Sequence, residues 1–520
     1  MPDPSAVDAR TSPPDGLLVA VDQGTSATKA VVVDLAGQVR ARASVPVAQQ
    51  FPRPGWAEQD ALEIWASVQE SVRQGLAGLD PAAVVAVGLS TQRESMLLWD
   101  RATGEPRGPV LGWQDTRGAE QCARLRAEGH TDRVRALTGL PLDAMFSASK
   151  ASALLDAYDP DRSASRRGEL CLGTVDSWLL FRIGGEHVVE AGNASRTQLL
   201  DLATRTWDPW LLDLFDVPVE ALPRVVASTG PFVGCRDLDP LAPDVPVSGV
   251  LGDSHAALFA HAGWQPGRVK VTYGTGSSVM AVSHTPPRPS TGVATTIAWE
   301  LDEPAYALEG NIRSSGATLG WLGAVVGCSP AEVAAAAGPS SDGVVLVPAF
   351  TGLGAPWWDD QARATITGIS AGTRLEHLAR AGLEAITAQI EDVIAAAEEA
   401  GDPIGVILAD GGPSANAGLM QLQADTSGRD VAASQVAELS ALGAAHLAGL
   451  GAGVWSLDEL DALPRERTTY EPRSTAAERD RRREAWHAAV AAALGVSQVD
   501  ATHLDATQLD ATQLDEGQQP

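Results

Sequence analysis

Apolar residues fall along this chain in two rhythms that alternate over most of its length. Short β-branched runs at Leu17–Val21 and Ala30–Val33 flank a glycine-containing turn and predict a hairpin, which a third run near Val39–Val47 extends. Ala61–Leu79 has helical spacing and predicts an amphipathic helix ahead of another strand, Val84–Leu89. A run at Val245–Leu251 ends in Gly252-Asp253 and leads into a helix-like stretch, Ser254–Ala262. The pattern then begins again. Val269–Tyr273 and Val279–Val282 flank a second turn, Gly274-Thr275-Gly276-Ser277-Ser278. Leu375–Ala400 carries Leu375, Leu378, Leu383, Ile386, Ile390, Val393 and Ile394 at spacings of mostly three or four, which predicts one long helix with a single buried stripe. It feeds a strand, Ile404–Leu408, and then Asp410-Gly411-Gly412-Pro413-Ser414-Ala415-Asn416 opening another helix. Two halves that each start strand–turn–strand around glycine predict a duplicated α/β unit joined near residue 263.

Length and composition fit that reading. The chain has 520 residues, 44% hydrophobic and 20% charged, enough for two sizeable cores. The expected division is a disordered segment 1–16, two domains at 17–263 and 264–496, and a disordered acidic tail, 497–520. In that tail D-A-T-x-L recurs every five residues from Asp500, a period of neither helix nor strand. No run of about 20 apolar residues predicts a membrane span, and the polar N-terminus has no signal-peptide core, so a cytoplasmic protein is expected. The net charge of −28 argues against a nucleic-acid or membrane partner. An ATP site in such a chain must be a local exception built from backbone amides, a metal and few cations, and only three lysines exist: Lys29, Lys150 and Lys270. Cys122, Cys171, Cys235 and Cys328 form no C-x-x-C pair and are expected as reduced core thiols.

Three glycine turns are candidates for phosphate. Asp22-Gln23-Gly24-Thr25-Ser26-Ala27-Thr28-Lys29 can converge backbone N–H groups and hydroxyls on an anion, with Asp22 near a hydrated magnesium, or it is a plain hairpin tip. Gly274-Thr275-Gly276 is a second such turn. Gly411-Gly412 with Asn416 sits at a strand-to-helix junction, which suits a nucleotide or is a simple connection. No G-x-x-x-x-G-K-[ST] loop occurs. Asp253, at a strand exit, is either a general base for an attacking hydroxyl or a helix N-cap. Arg93-Glu94 is either a polyol-binding pair or a solvated surface pair. Trp113 can offer a face to sugar C–H groups, although a core role is the default for a tryptophan.

Taken together, these segments resemble the FGGY family of carbohydrate kinases, most closely its glycerol kinases, from about Leu17 to Trp455. The matching segments are Asp22–Lys29, Thr91-Gln92-Arg93-Glu94, Trp113–Arg117, Gly173-Thr174-Val175-Asp176-Ser177-Trp178-Leu179, Asn193-Ala194-Ser195-Arg196-Thr197, Gly252-Asp253, Tyr273–Gly276, Val347–Gly352, Asp410–Asn416 and Leu442-Gly443-Ala444-Ala445. The resemblance implies two actin-like ATPase (ribonuclease H-like) domains around a central cleft, the first binding substrate and the second nucleotide. It implies ATP and Mg2+ as cofactors, Asp253 as general base and Asp22 as a metal-associated carboxylate. Arg93, Glu94, Trp113, Met145, Ser254 and Ser278 then fall around the substrate. Thr25, Ser26, Ala27, Lys29, Thr275, Gly316, Gly320, Gly412 and Asn416 fall around the nucleotide, with Lys29 where glycerol kinases usually carry arginine.

The departures concern the acceptor. Glycerol kinases have an aromatic residue where this chain has Met145, another where it has Ser278, and glutamine at Ser254. A roomier, more polar pocket is expected, and glycerol or a four- to five-carbon polyol or ketose is the expected substrate, with a xylulokinase-type pentulose kinase as the alternative. A non-catalytic sugar sensor and an actin-like filament are the readings outside enzymology. The retained Asp22, Asp253 and phosphate turns speak against the sensor, and Arg93-Glu94 against the filament. Relatives of this kind form homo-oligomers, but no interface is legible.

Overall fold

The computed structural model describes residues 16–511, with side chains through 495. Its first half is organised on a six-stranded sheet of β1 (Leu17–Gln23), β2 (Ala27–Asp34), β3 (Val39–Pro46), β4 (Val84–Thr91), β5 (Thr229–Gly234) and β6 (Pro246–Gly252), in the order β5-β6-β4-β1-β2-β3. β1, β2 and β3 form an antiparallel meander, β4 runs parallel to β1, β6 parallel to β4, and β5 closes the edge antiparallel. The second half repeats this plan with β7 (Arg268–Tyr273), β8 (Ser277–Ser283), β9 (Ala294–Glu300), β10 (Pro304–Ile312), β11 (Val406–Asp410), β12 (Asp430–Ser434) and β13 (Arg467–Tyr470). Their order is β9-β10-β8-β7-β11-β12-β13, the same succession with β9 added outside. The duplication expected from the two strand–turn–strand starts is therefore present strand for strand.

Helices cover both sheets. α1 (Ala61–Gly75) is capped by Asp60, whose carboxylate accepts from Leu62 and Glu63 N–H, and it ends a turn earlier than the expected Leu79. The other principal helices are α2 (Asp253–Ala260), α3 (Gly316–Val326), α4 (Leu375–Ala400), α5 (Ala417–Ser427), α6 (Leu439–Gly451) and α7 (Ala476–Ala511). The stripe of α4 buries Leu383, Ile386, Ile390, Val393 and Ile394 against Val269, Val271 and Ile407 of the second sheet. Segments 1–15 and 512–520 and the side chains from 496 lie outside the described residues, but the backbone of 497–511, expected as part of a disordered tail, is helical as the end of α7. Cys122, Cys171, Cys235 and Cys328 are all free, the first three buried.

The opposite face of the second sheet meets the first half. Met280, Ala305 and Ala307 pack in one core with Leu18, Ala20, Leu251 and Phe259 of the first half and with Ala441, Ala444 and Leu447 of α6. α6 lies against α2 so closely that a Cβ at Gly443 would come within 1.8 Å of the Ala256 carbonyl oxygen, which explains glycine there. A smaller sheet of Glu58–Gln59, Val110–Leu111, Met96–Asp100 and Leu170–Thr174 is inserted in the first half. Two of its strands have only two residues, too short for an alternation to be read from sequence.

Candidate active site

Parallel strands end together, so the residues just beyond their C-terminal ends gather along one edge of the sheet. β1, β4 and β6 run side by side with Asp22 opposite Ser90 and Gly252 opposite Thr91. Asp22, the Arg93-Glu94 pair and Asp253 are thus delivered to one place by three strand ends. The second sheet does the same, since Thr272 pairs with Asp410 and brings the turn after β7 beside the Gly411-Gly412 junction after β11. Gly411 has φ 89°, and a Cβ there would lie 2.1 Å from the Tyr273 carbonyl oxygen, so only glycine fits.

Asp253 is the first residue of α2, with Gly252 in the cap position. Its Oδ1 accepts from the Ser254 N–H at 2.6 Å, and its side chain is 39% exposed toward the cleft. Arg93 and Glu94 are not a surface pair, because both are buried. Arg93 Nε lies 3.4 Å from Asp253, and Arg93 Nη1 donates to Glu309 at 2.9 Å. Burial alone would pull the Arg93 pKa down, but Glu309, Glu94 and Asp253 hold it above its ordinary value. Glu94 takes a left-handed backbone, φ 60°, and accepts from Arg196 Nε. Burial pushes Asp22 up to about 6, against the Ser90 hydroxyl at 2.7 Å and with further help from Asp253.

The remaining expected residues fall into three groups. Asp253, Ser254 and Gly412 line one cleft of about 490 Å3 with Lys270, Thr272, Asp410 and Gly411. Asn416 stands just behind it as the cap of α5, accepting from Leu419 N–H, and Gly412–Ala415 is a single 3-10 turn rather than the start of that helix. A second group is the first turn. Gly24 N–H donates to the Ala27 carbonyl, Thr25 accepts from Trp113 Nε1 at 3.0 Å, Ser26 is exposed, and Lys29 pairs in register with Asp22. Trp113 is therefore not a core residue. It stands 36% exposed beside the phosphate-type turn. The third group joins Thr275 to Gly316: Gly316 N–H donates to the Gly274 carbonyl and Ala317 N–H to the Thr275 carbonyl, so turn and α3 N-terminus form one unit. Gly320 lies one turn along α3 with open space where a Cβ would stand.

Met145 lies in a loop with Phe146 beneath the Arg196 guanidinium, and Ser147, which opens the helix that follows, donates to the Glu94 carbonyl at 3.0 Å. Ser278 alternates along β8 with Met280, so it shares the face turned to the first half. Its hydroxyl is buried and has no partner. Three residues of this site, Arg196, His255 and Glu309, had no role assigned from sequence pattern alone. Arg196 lay inside a matched motif. The one local signal for Glu309 was a lone charge inside the apolar strand β10.

Two lobes with duplicated sheets, carboxylates at the strand ends of one and glycine turns in both, define the actin-like ATPase class of phosphotransfer folds. Among solved structures, that of Plasmodium falciparum glycerol kinase with ADP superposes with a TM-score of 0.88 at 29% identity, covering 92% of this chain and 98% of that one. Residues 17–260 match the N-terminal domain model and residues 269–452 the C-terminal domain model of the FGGY family of carbohydrate kinases. The chain belongs to that family, and it is an ATP-dependent carbohydrate or polyol kinase using ATP and Mg2+. The glycerol kinase of Aromatoleum aromaticum is 45% identical over 490 residues, 92% of this chain and 99% of that protein. The glycerol kinase of Burkholderia multivorans is 42% identical over 491 residues, 92% and 98% respectively. Among the described residues no helix is long and apolar enough to cross a membrane.

Proposed function

We propose that this kinase phosphorylates a terminal hydroxyl of a short polyol, with glycerol accepted and room for a fourth carbon. The observation that carries the reading is the junction of Arg93, Glu94 and Asp253 at two adjacent strand ends, opening on the cleft that also holds Gly411 and Gly412. Arg93 donates to and Glu94 accepts from acceptor hydroxyls, which fixes the chain end. Asp253 takes the proton of the attacking hydroxyl as its oxygen bonds to the γ-phosphorus and the bond to the β-phosphate oxygen breaks, releasing ADP. Backbone N–H groups of the turns at Gly24 and Gly274 face the phosphates with Thr25, Thr275 and Gly412. The division of labour, substrate on 17–263 and nucleotide on 264–496, a cytoplasmic location and a homo-oligomeric assembly belong to the same proposal.

The chemistry of Asp22 fits a magnesium partner. Its buried carboxylate has one hydrogen bond and faces the repulsion of Asp253, which a divalent cation would offset. Among the described residues no group of three or more possible ligands gathers. When bound, the ion neutralises charge on the phosphates. A raised carboxyl pKa contributes stability at low pH that is lost as pH rises through about 6. Added Mg2+ should therefore raise Tm more at pH 7.5 than at pH 5.5, and its half-saturating concentration for turnover should climb below pH 6. Asp22→Asn should flatten both dependences.

The acceptor itself is tested by ADP release over glycerol, erythritol, threitol, xylitol, ribitol, arabitol, xylulose, ribulose and gluconate. Glycerol and the four-carbon polyols should head the kcat/KM order. The partnerless Ser278 hydroxyl favours the longer of these, since it leaves a polar contact for another carbinol group. A preference for xylulose above tenfold would move the assignment to a pentulose kinase, and no ADP release across the panel would favour a sensor.

A further inference from the structure

A carboxylate in the middle of an apolar strand is costly unless every lone pair is used. Glu309 of β10 is only 3% exposed and meets that condition. Its Oε2 accepts from Arg93 Nη1 at 2.9 Å and from Arg196 Nη1 at 2.8 Å, and its Oε1 from Thr296 Oγ1 at 2.6 Å and from His255 Nε2, 3.1 Å away. Burial raises its pKa, but Arg196 and Arg93 hold it well below the usual carboxylate range. Glu309 and Thr296 belong to the second half of the chain, whereas Arg93, Arg196 and His255 belong to the first.

Charge balance does not require this carboxylate. Arg93 already has Asp253, and Arg196 already has Glu94. What Glu309 changes is direction. With its Nη1 anchored on Glu309, Arg93 approaches Asp253 only through Nε at 3.4 Å, a long contact that leaves the guanidinium fork unavailable for a bidentate grip. Free of that anchor, Arg93 can swing both nitrogens onto Asp253 and occupy the base. Arg196, held by the same oxygen, keeps its Nε on Glu94.

We infer that Glu309 is a positioning residue for phosphoryl transfer: it reaches across from the nucleotide-bearing half, anchors Arg93 and Arg196, and keeps Asp253 open to the acceptor. This rests on the proposed roles of Arg93, Glu94 and Asp253. The groups facing Arg93 are Glu309, Glu94, Asp253 and His255, and those facing Arg196 are Glu309, Glu94 and His255.

Glu309→Gln keeps the shape and removes the charge and one of the two acceptor oxygens. Its expected effect is a rise of about tenfold or more in acceptor KM with ATP KM within twofold, as Arg93 closes on Asp253. Glu309→Asp, which retains the charge, should recover part of the acceptor affinity. A purely structural residue would change both substrates together, and that result overturns the inference. Should Glu309→Gln not fold, Thr296→Val loosens only Oε1. A two- to fivefold rise in acceptor KM alone then supports the inference, and an unchanged acceptor KM overturns it. Calorimetry with glycerol and erythritol separates the levels: binding that is equal in wild type and variant removes the inference alone, whereas no binding to the wild type removes the proposed function as well.

Discussion

Asp253→Asn should lower kcat by about 10³ while leaving acceptor and nucleotide binding nearly intact, in line with the roughly 10²–10⁴ that a positioned general base supplies. The structure makes this a clean substitution. Asparagine keeps an oxygen where Oδ1 accepts the Ser254 N–H, so the start of α2 is undisturbed. The cap position belongs to Gly252, so no capping energy is lost. What disappears is the site for the proton and the charge 3.4 Å from Arg93 Nε. The limb due to Asp22, near pH 6, should retreat as Mg2+ is raised, in the wild type and in the Asn variant alike. Steady-state kinetics at two Mg2+ concentrations, with calorimetry of acceptor binding, decide it. Turnover within tenfold of wild type would remove Asp253 from the chemistry.

Periodicity was legible wherever one element buries one face. The stripe from Leu375 to Ile394 predicts α4 from its first residue to its last, because 26 residues give many turns to average over. The strand–turn–strand starts were legible for the same reason, and they carried the duplication with them. Ends set by capping were less so, as in α1, where the turn after Gly75 breaks the helix before the last apolar residue, Leu79. The site was legible as a set of positions but not as a set of contacts. Local sequence made Arg93-Glu94 look like a solvated pair because the residues that bury them are far along the chain. Glu309 stands 216 positions from Arg93, and Arg196 stands 102 from Glu94. Trp113 is a related case, since a core role is the default for a tryptophan until Thr25, 88 positions away, takes its N–H. Glu309 had no reading of its own, because a single charge in β10 does not name its partners.

Those long-range partners also fix the largest expected stability effect. Arg93→Met should destabilise the fold by about 3–5 kcal/mol at neutral pH, the usual cost of removing one member of a buried ionic group. Methionine fills much of the same volume, so the loss is electrostatic rather than a cavity. In the wild type, Arg196 and Arg93 hold Glu309 well below its ordinary value, so its contribution is present above the unfolded pKa and lost as pH falls through the folded one. Without Arg93 that relation changes. Glu309 keeps Arg196, but burial is no longer outweighed by two guanidiniums, and Asp253 loses its neighbouring cation. A Glu309 pKa raised by burial in the variant contributes stability at low pH that is lost as pH rises. The gap between variant and wild type should therefore narrow between pH 7.5 and pH 5, and acceptor binding should be absent throughout. Thermal unfolding across that range is the measurement. A gap independent of pH would mean that Arg93 serves packing alone, whereas a gap that closes on acidification identifies the carboxylates it restrains as the reason for its burial.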